Sequence, residues 1–345
     1  MIDATALALA KTINKKLKTE AVVVASSIEH NLMPRITTGS VSLDYALGGG
    51  WPGNQWIELV GEASSGKTAV ALKTIAANQA ANPDHTTVWV AAEQWVPQYA
   101  QMCGVNLDQV LVIETNIMEE AYQAVIQFAE SKAVDAIVID SLPALVPALE
   151  DEKDAGESTV GKGALLTNQF FRKVGAAMKR SLIEEERPVL GIMINQYRLQ
   201  IGVMHGDPRT TPGGKGKDFA FFVRCEIKRG DWLVHGKGTE ATRVGQTIKV
   251  RIIKNKTAPP NQVANIDFYF DDCPPLFKAG ETDFAKEIVA LAILNDILTR
   301  SGAWYYYGDR KWQGADSVLD SVREEPDLAQ VLTREVMEVV SRAAK

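Results

Sequence analysis

Gly61-Glu62-Ala63-Ser64-Ser65-Gly66-Lys67-Thr68 satisfies every fixed position of the pattern G-x-x-x-x-G-K-[ST]. The residues on either side decide what the match means. Trp56-Ile57-Glu58-Leu59-Val60 reads as a strand entering the loop, and Ala69 to Ala77 reads as a helix leaving it. A loop in that setting turns successive backbone N–H groups and a helix N-terminus toward one point, which makes it an anion site. Lys67 is then placed for the β- and γ-phosphates of a nucleotide, and the Thr68 hydroxyl for Mg²⁺. The loop residues Gly61, Glu62, Ala63, Ser64, Ser65, Gly66, Lys67 and Thr68, with Ala69, are the candidate nucleotide contacts. The alternative, a Gly/Ser-rich turn without a ligand, does not require the flanking strand and helix.

Working outward, the pattern from about residue 36 to 271 alternates β and α, as a mostly parallel, twisted sheet with flanking helices requires. Strands are expected at 87–91, 110–113, 136–140 and 189–194, with others at 246–253 and 266–270. Helices are expected at 118–132 and about 161–185. A loop of about twenty residues rich in Gly and Thr follows Gln196, and loops that long within a compact domain are usually functional or disordered. Ahead of this core, 5–18 reads as a basic amphipathic helix and Ala21–Ala25 as a short strand. That unit is too small to bury a core of its own. Pro274-Pro275 marks a break. Beyond it, 283–345 reads as a small α-rich unit with a helix near 284–300 and an aromatic turn at 303–308. The expected organisation is therefore an N-terminal extension at 1–35, an α/β core at 36–272 and a C-terminal domain at 273–345.

Composition narrows the function classes. The chain has 345 residues, 46% hydrophobic and 23% charged, which is ordinary for a globular protein. No apolar run reaches the length of a membrane span, so no membrane partner is expected. The apolar run at 4–10 has no basic region before it and does not read as a signal peptide. Three cysteines are widely spaced, which suggests a reducing, cytoplasmic setting and no zinc site. The four histidines are scattered. The formal net charge of −6 has the wrong sign for a protein that coats nucleic acid with its whole surface. DNA contact would have to come from local basic segments. One is 197–217, with Arg198, Arg209, Lys215 and Lys217. Another holds Lys11, Lys15, Lys16 and Lys18.

Three positions at strand ends carry candidate chemistry. Asp140 closes an apolar strand about 70 residues after the phosphate loop, the arrangement of a Walker-B carboxylate in the Mg²⁺ shell. Glu93 ends the strand after the loop's helix, and functional groups of open α/β sheets gather at such carboxyl ends. It can activate water or simply cap the next helix. Gln196 ends another strand and is placed to bond a γ-phosphate and shift the loop that follows it, or to face water.

Several further segments carry a resemblance. The run Ile36 to Gly50, the phosphate loop, Ala92-Glu93, Val138-Ile139-Asp140-Ser141 and Ile194-Asn195-Gln196-Tyr197-Arg198 are similar to bacterial RecA recombinases. So are Ile201-Gly202-Val203-Met204, Thr210-Thr211-Pro212-Gly213-Gly214, Lys254-Asn255-Lys256 and Gly302-Ala303-Trp304-Tyr305. The similarity runs over essentially the whole chain and includes motifs absent from generic ATPases. It implies a RecA-like ATPase core that uses ATP and Mg²⁺. Single-stranded DNA, homologous double-stranded DNA and further copies of the chain, in a helical filament, are the implied partners. By the same resemblance Glu93 is the catalytic glutamate, with Lys67 and Asp140 beside it, and Gln196 is the γ-phosphate sensor. Tyr99 stacks on adenine, and Lys254 and Lys256 reach the ATP of a neighbouring subunit. Residues 150–161 and 197–215 match the two DNA loops. Asn168, Arg172, Arg198, Leu199, Gln200, Ile201, Thr210, Gly213 and Gly214 are the implied DNA contacts, and Phe219 an interface residue.

Some positions depart from the family. The first DNA loop is acidic, with Glu150, Asp151, Glu152, Asp154 and Glu157 against Lys153. Leu165, Gln200, His205 and Arg209 stand where other residue types are common, and Val96 replaces a usual aspartate near adenine. The expected function is a DNA-dependent ATPase that polymerises on single-stranded DNA and catalyses homologous pairing and strand exchange. The alternatives are a hexameric translocase or helicase of related fold, and a non-catalytic filament switched by ATP.

Overall fold

The computed structural model describes residues 2–18, 22–24, 34–151, 161–178, 187–199 and 208–343. The elements, in chain order, begin with helices α1 (Ala4–Leu17) and α2 (Val41–Leu47), strand β1 (Gln55–Gly61) and helix α3 (Lys67–Ala81). Then come β2 (Thr87–Ala91), α4 (Pro97–Met102), β3 (Val110–Ile113), α5 (Met118–Ser131), β4 (Ala136–Asp140) and α6 (Lys162–Met178). β5 (Leu190–Gln196), the short α7 (Gly216–Ala220), β6 (Val223–His235), β7 (Thr242–Asn255) and β8 (Val263–Tyr269) complete the core.

Strands β1 to β8 form one eight-stranded sheet in the order β8-β7-β6-β1-β5-β4-β2-β3. From β6 across to β3 every pair is parallel, while β7 and β8 extend the sheet antiparallel. Central strands β1, β2, β4 and β5 are buried along almost their whole length. That burial is why their sequences are apolar runs and do not alternate. Ile57, Leu59, Ile75 and Trp89 fill one face of the sheet beneath α3. Trp56, Ile137, Phe170 and Val174 fill the other beneath α5 and α6. All the parallel strands run into the same edge, so Gly61, Ala91, Asp140 and Gln196 end side by side: Gly61 is paired with Gln196, and Ala91 with Asp140.

The C-terminal residues form a third core around helices α8 (Phe284–Leu294), α9 (Ala315–Glu324) and α10 (Pro326–Ala343). Val41 of α2 belongs to that core, and the Tyr45 hydroxyl donates to Asn295 Oδ1 at 2.8 Å. α2 is therefore where the C-terminal unit docks.

Three expectations need correction. The aromatic segment is a strand, β10 (Trp304–Tyr307), between β9 (Thr299–Ser301) and β11 (Arg310–Gln313) in an antiparallel sheet. The C-terminal unit stays α-rich around this small sheet, and Tyr305 is buried while Trp304 and Tyr306 face out. The helix expected near 284–300 stops at Leu294, where Asn295 closes it and its amide bonds Leu291 O. Val22–Val24 are not in a strand; Val22 N and O are both bonded to the side chain of Asn14 at 2.8 Å. The rest of that expected strand, and 179–185 of the expected long helix, lie outside the described residues.

Candidate functional site

The phosphate loop joins β1 to α3 as its residues require. Gly66 caps α3 with φ +100°, a conformation that L side chains rarely adopt, and a Cβ there would lie 2.6 Å from Ile248 Cδ1. Lys67, the first residue of α3, is buried and folds back over the loop. Its Nζ donates to Glu62 O at 2.6 Å and Gly61 O at 3.2 Å. Burial pulls its pKa below the usual lysine value, opposed by the charges of Asp140, Glu93 and Glu62. Ser65 Oγ is buried in the same loop without a hydrogen-bond partner among the described residues. An unpartnered hydroxyl in a loop of this shape fits a phosphate oxygen.

Asp140 faces the loop from the end of β4. The Thr68 hydroxyl donates to Asp140 Oδ2 at 3.1 Å. Burial pushes the Asp140 carboxyl up to about 6, Glu93 adds to the rise, and the Thr68 hydrogen bond and Lys67 hold it back. Two hard oxygen donors this close suit Mg²⁺, which keeps most of its shell as water and phosphate. Among the described residues no group of three or more His, Cys, Asp or Glu could hold a metal. Glu93 sits opposite, exposed at the end of β2, where Ser141 Oγ donates to its Oε1 at 2.8 Å.

These groups line one cleft of about 520 Å³, together with Ala69, Tyr99 and Val96. Tyr99 is half-buried and its hydroxyl is held neutral by burial. The far wall was not read from the sequence. It comes from β6 to β8 as Arg229, Trp232, Gln246, Phe268 and Phe270. Two guanidinium groups, Arg229 and Arg243, each lie 4.7 Å from the Trp232 ring, which meets Phe270 edge-on at 6.3 Å. Ser141, which bonds Glu93, carries no sequence signal beyond its place after Asp140 in the run Val138-Ile139-Asp140-Ser141.

Gln196 does not line this cleft. It pairs with Gly61 in the sheet, and its backbone N–H donates to Asn195 Oδ1 at 2.9 Å. Lys254 and Lys256 lie at the end of β7, apart from the cleft lining. Lys254 Nζ donates to Asp218 O, and Lys256 Nζ to Phe219 O at 3.1 Å. Phe219 beside them is 79% exposed.

Of the implied DNA contacts, Gln200 and Ile201 lie outside the described residues, as does most of the first DNA loop. Arg198 and Leu199 pair with Arg209 and Thr210 in a short antiparallel ribbon, and Arg198, Leu199 and Thr210 are exposed. Arg172 is exposed on α6, and Asn168 on the same helix is half-buried. Gly213 and Gly214 pack close against the core; a Cβ on Gly213 would lie 2.9 Å from Lys217 Cδ. Two cations of the basic segment are committed to internal partners. Arg209 bonds Glu226 Oε1 at 2.6 Å and lies 4.6 Å above the Tyr197 ring. Lys217 is 1% exposed, so it does not face DNA.

Comparison with known proteins adds an independent line. The sequence model of the RecA N-terminal domain matches residues 4–273, and that of the RecA C-terminal domain matches residues 286–341. Protein RecA of Staphylococcus aureus strain JH9 is 38% identical over 305 residues, covering 88% of this chain and 82% of the relative. Protein RecA of strain Newman matches to the same extent. Among the described residues no helix is long and apolar enough to cross a membrane.

Proposed function

The chain belongs to the RecA family, whose members are single-stranded-DNA-dependent ATPases that form filaments in recombination and repair, and we propose that Glu93 is the general base of its ATP hydrolysis. The single observation that carries this assignment is the cleft in which the phosphate loop, Asp140 and Glu93 face one another. Family membership over both matched segments favours the recombinase reading over a hexameric translocase or a non-catalytic switch.

In the proposed mechanism the backbone N–H groups of residues 61–68 and the buried Lys67 hold the phosphates. Thr68 Oγ1 and Asp140 Oδ2 would hold Mg²⁺, which supplies charge neutralisation on the phosphates when bound. Glu93 takes the proton from the attacking water, and Ser141 holds its carboxylate in place by the 2.8 Å bond. Tyr99 stacks on the base at one side of the cleft, with Trp232 and Phe270 forming its other side. Gln196, next to Gly61, reports the γ-phosphate to the loop that follows it. Lys254 and Lys256 complete the ATP site of a neighbouring copy, with Phe219 in the same contact. Arg172 and Arg198, with Thr210, Gly213 and Gly214 of the second loop, bind single-stranded DNA, and the homologous duplex is the second substrate of strand exchange.

Glu93→Gln tests the assignment. Loss of a general base lowers turnover by about 10²–10⁴-fold, and ATP binding should stay close to wild type because the amide keeps the shape of the side chain. Turnover in the variant within a few fold of wild type, with and without single-stranded DNA, would remove Glu93 from the mechanism.

A further inference from the structure

Lys217 is among the largest fully buried side chains of the protein. Lysines are almost never fully buried unless paired, and the mechanism above does not use this one. Its Nζ donates to Thr211 Oγ1 at 2.6 Å and to Asp218 Oδ1 at 2.8 Å, and lies 3.6 Å from Glu58 Oε1. Glu58 is fully buried in the middle of β1, three residues before the phosphate loop. Its Oε2 accepts from Arg224 Nε at 2.6 Å and its Oε1 from Asn195 Nδ2 at 2.8 Å. Arg224 also reaches Asp218 Oδ1 at 3.3 Å. Glu58 and Asp218 balance Lys217 and Arg224 in charge, so the cluster is neutral.

Stability alone does not call for such a cluster, because well-packed apolar residues would serve as well or better. Its members, however, belong to the segments that a DNA-stimulated ATPase has to couple. Thr211 and Pro212 are the returning stem of the second loop. Asn195 Nδ2 also approaches Pro212 O at 3.4 Å, while its Oδ1 accepts from the N–H of Gln196. Asp218 adjoins Phe219 and accepts from Lys254 through its carbonyl. A shift of the loop stem therefore pulls on Lys217 and Asn195 together. Both are anchored on the carboxylate of the strand that feeds the phosphate loop.

We propose that Lys217 is a positioning residue that ties the stem of the second loop to Glu58, and that this tie transmits single-stranded DNA binding to the ATP site. The proposal rests on the reading of 197–215 as the DNA-contacting loop. Coupling between two sites in proteins is usually on the order of 5–150-fold, so the ratio of DNA-stimulated to DNA-free turnover is the quantity to follow.

The test uses the full chain with poly-dT as the probe. Lys217→Met removes the ammonium, Thr211→Val removes only the hydroxyl it bonds, and Thr211→Ser restores that hydroxyl. Thr211→Val leaves the buried charges intact and keeps the test open if Lys217→Met fails to fold. Thr211→Val, and Lys217→Met if it folds, should lower the stimulation ratio about tenfold while the poly-dT dissociation constant moves less than about threefold. Thr211→Ser should recover the wild-type ratio. The double variant should be no worse than the more affected single one, since both cut the same tie. An unchanged ratio in Thr211→Val, or additive losses in the double variant, overturns the proposal. A parallel measurement on Arg198→Ala separates the two readings. Wild-type poly-dT binding in that variant refutes the loop assignment, and with it the premise of the tie. Weakened binding there with an unchanged ratio in Thr211→Val refutes the tie alone.

Discussion

Glu287→Gln should make the protein more stable at pH 8 and leave its stability near pH 5 almost unchanged. Glu287 lies on α8, buried against α2 where the C-terminal unit meets the ATPase core. Its Oε2 accepts from Ser40 Oγ at 2.6 Å and from the Ser42 N–H at 2.9 Å, while its Oε1 is buried with no partner among the described residues. Burial pushes its carboxyl from 4.5 up to about 7, and the nearby Asp44 adds to the rise while the two serines oppose it. Below pH 4.5 the group is protonated folded and unfolded, and contributes no pH dependence. Between 4.5 and 7 the folded protein holds a proton that the unfolded chain has released, so stability falls as pH rises. Above 7 the loss is complete. The gap between 4.5 and about 7 corresponds to about 3 kcal/mol, at about 1.4 kcal/mol per pH unit. A neutral amide of the same shape carries none of that penalty. Thermal unfolding of wild type and variant at pH 5, 6, 7 and 8 measures it. For a unit of 60–100 residues about 3 kcal/mol amounts to roughly 12–24 °C, so the variant should lead by more than about ten degrees at pH 8. A difference between the two proteins that is constant with pH, or larger at pH 5, would refute the reasoning.

Three other outcomes follow from the geometry. Gly66→Ala forces a strained φ, costing about 1–3 kcal/mol, and drives a methyl into the buried Ile248. It should lower thermal stability and abolish ATP binding by calorimetry, and normal binding would contradict the account of the loop. Deleting residues 1–30 should leave a folded ATPase core that no longer forms long filaments in micrographs, because α1 has no buried residue and exposes Leu9 and Leu17. Arg198→Ala should weaken poly-dT binding whatever the sequence and reduce the salt slope by about one; an unchanged slope would exclude Arg198 as a phosphate contact.

The phosphate loop was legible because its chemistry is local. Eight consecutive residues supply the glycines, the lysine and the threonine, and the strand and helix beside them are strongly patterned. Asp140 and Glu93 were legible for a related reason, since parallel strands end on one edge. The far wall of the cleft was not. Arg229, Trp232, Gln246, Phe268 and Phe270 come from three antiparallel strands, and the β6–β7 register shifts between Arg229 and Trp232. One such shift moves side chains to the other face, and no local pattern announces it. Lys217 misled for the opposite reason. Counted along the chain it is one more cation in a basic segment, and only the tertiary approach of Glu58 makes it an interior residue. The strand Trp304–Tyr307 did carry a signal: aromatic residues favour strands, and Gly302 and Gly308 bracket the run at positive φ.

On the proposed reading, the same placement makes one copy an incomplete machine. The residues proposed for hydrolysis line a cleft at the carboxyl edge of the sheet, whereas Lys254, Lys256 and Phe219 lie outside its lining. A contact that brings this second patch to the first patch of another copy joins two different surfaces. Such a contact is head-to-tail and leaves a free patch at each end, so it propagates into a filament and does not close a dimer. The exposed apolar residues of α1 provide a second unlike surface of the same kind. Filament growth then answers the charge problem posed by the sequence. A body of net charge −6 is repelled by DNA, and on the proposed reading the exposed Arg198 and Arg172 of one copy make a weak site. Repeated at fixed spacing, the same two cations act at high effective concentration along one strand. Affinity should therefore rise with strand length well beyond the span of one subunit, and a DNA too short for two copies should bind weakly and stimulate little turnover. Equal affinity per molecule for short and long poly-dT at the same salt would show that the binding energy resides in the single subunit and that this argument is wrong.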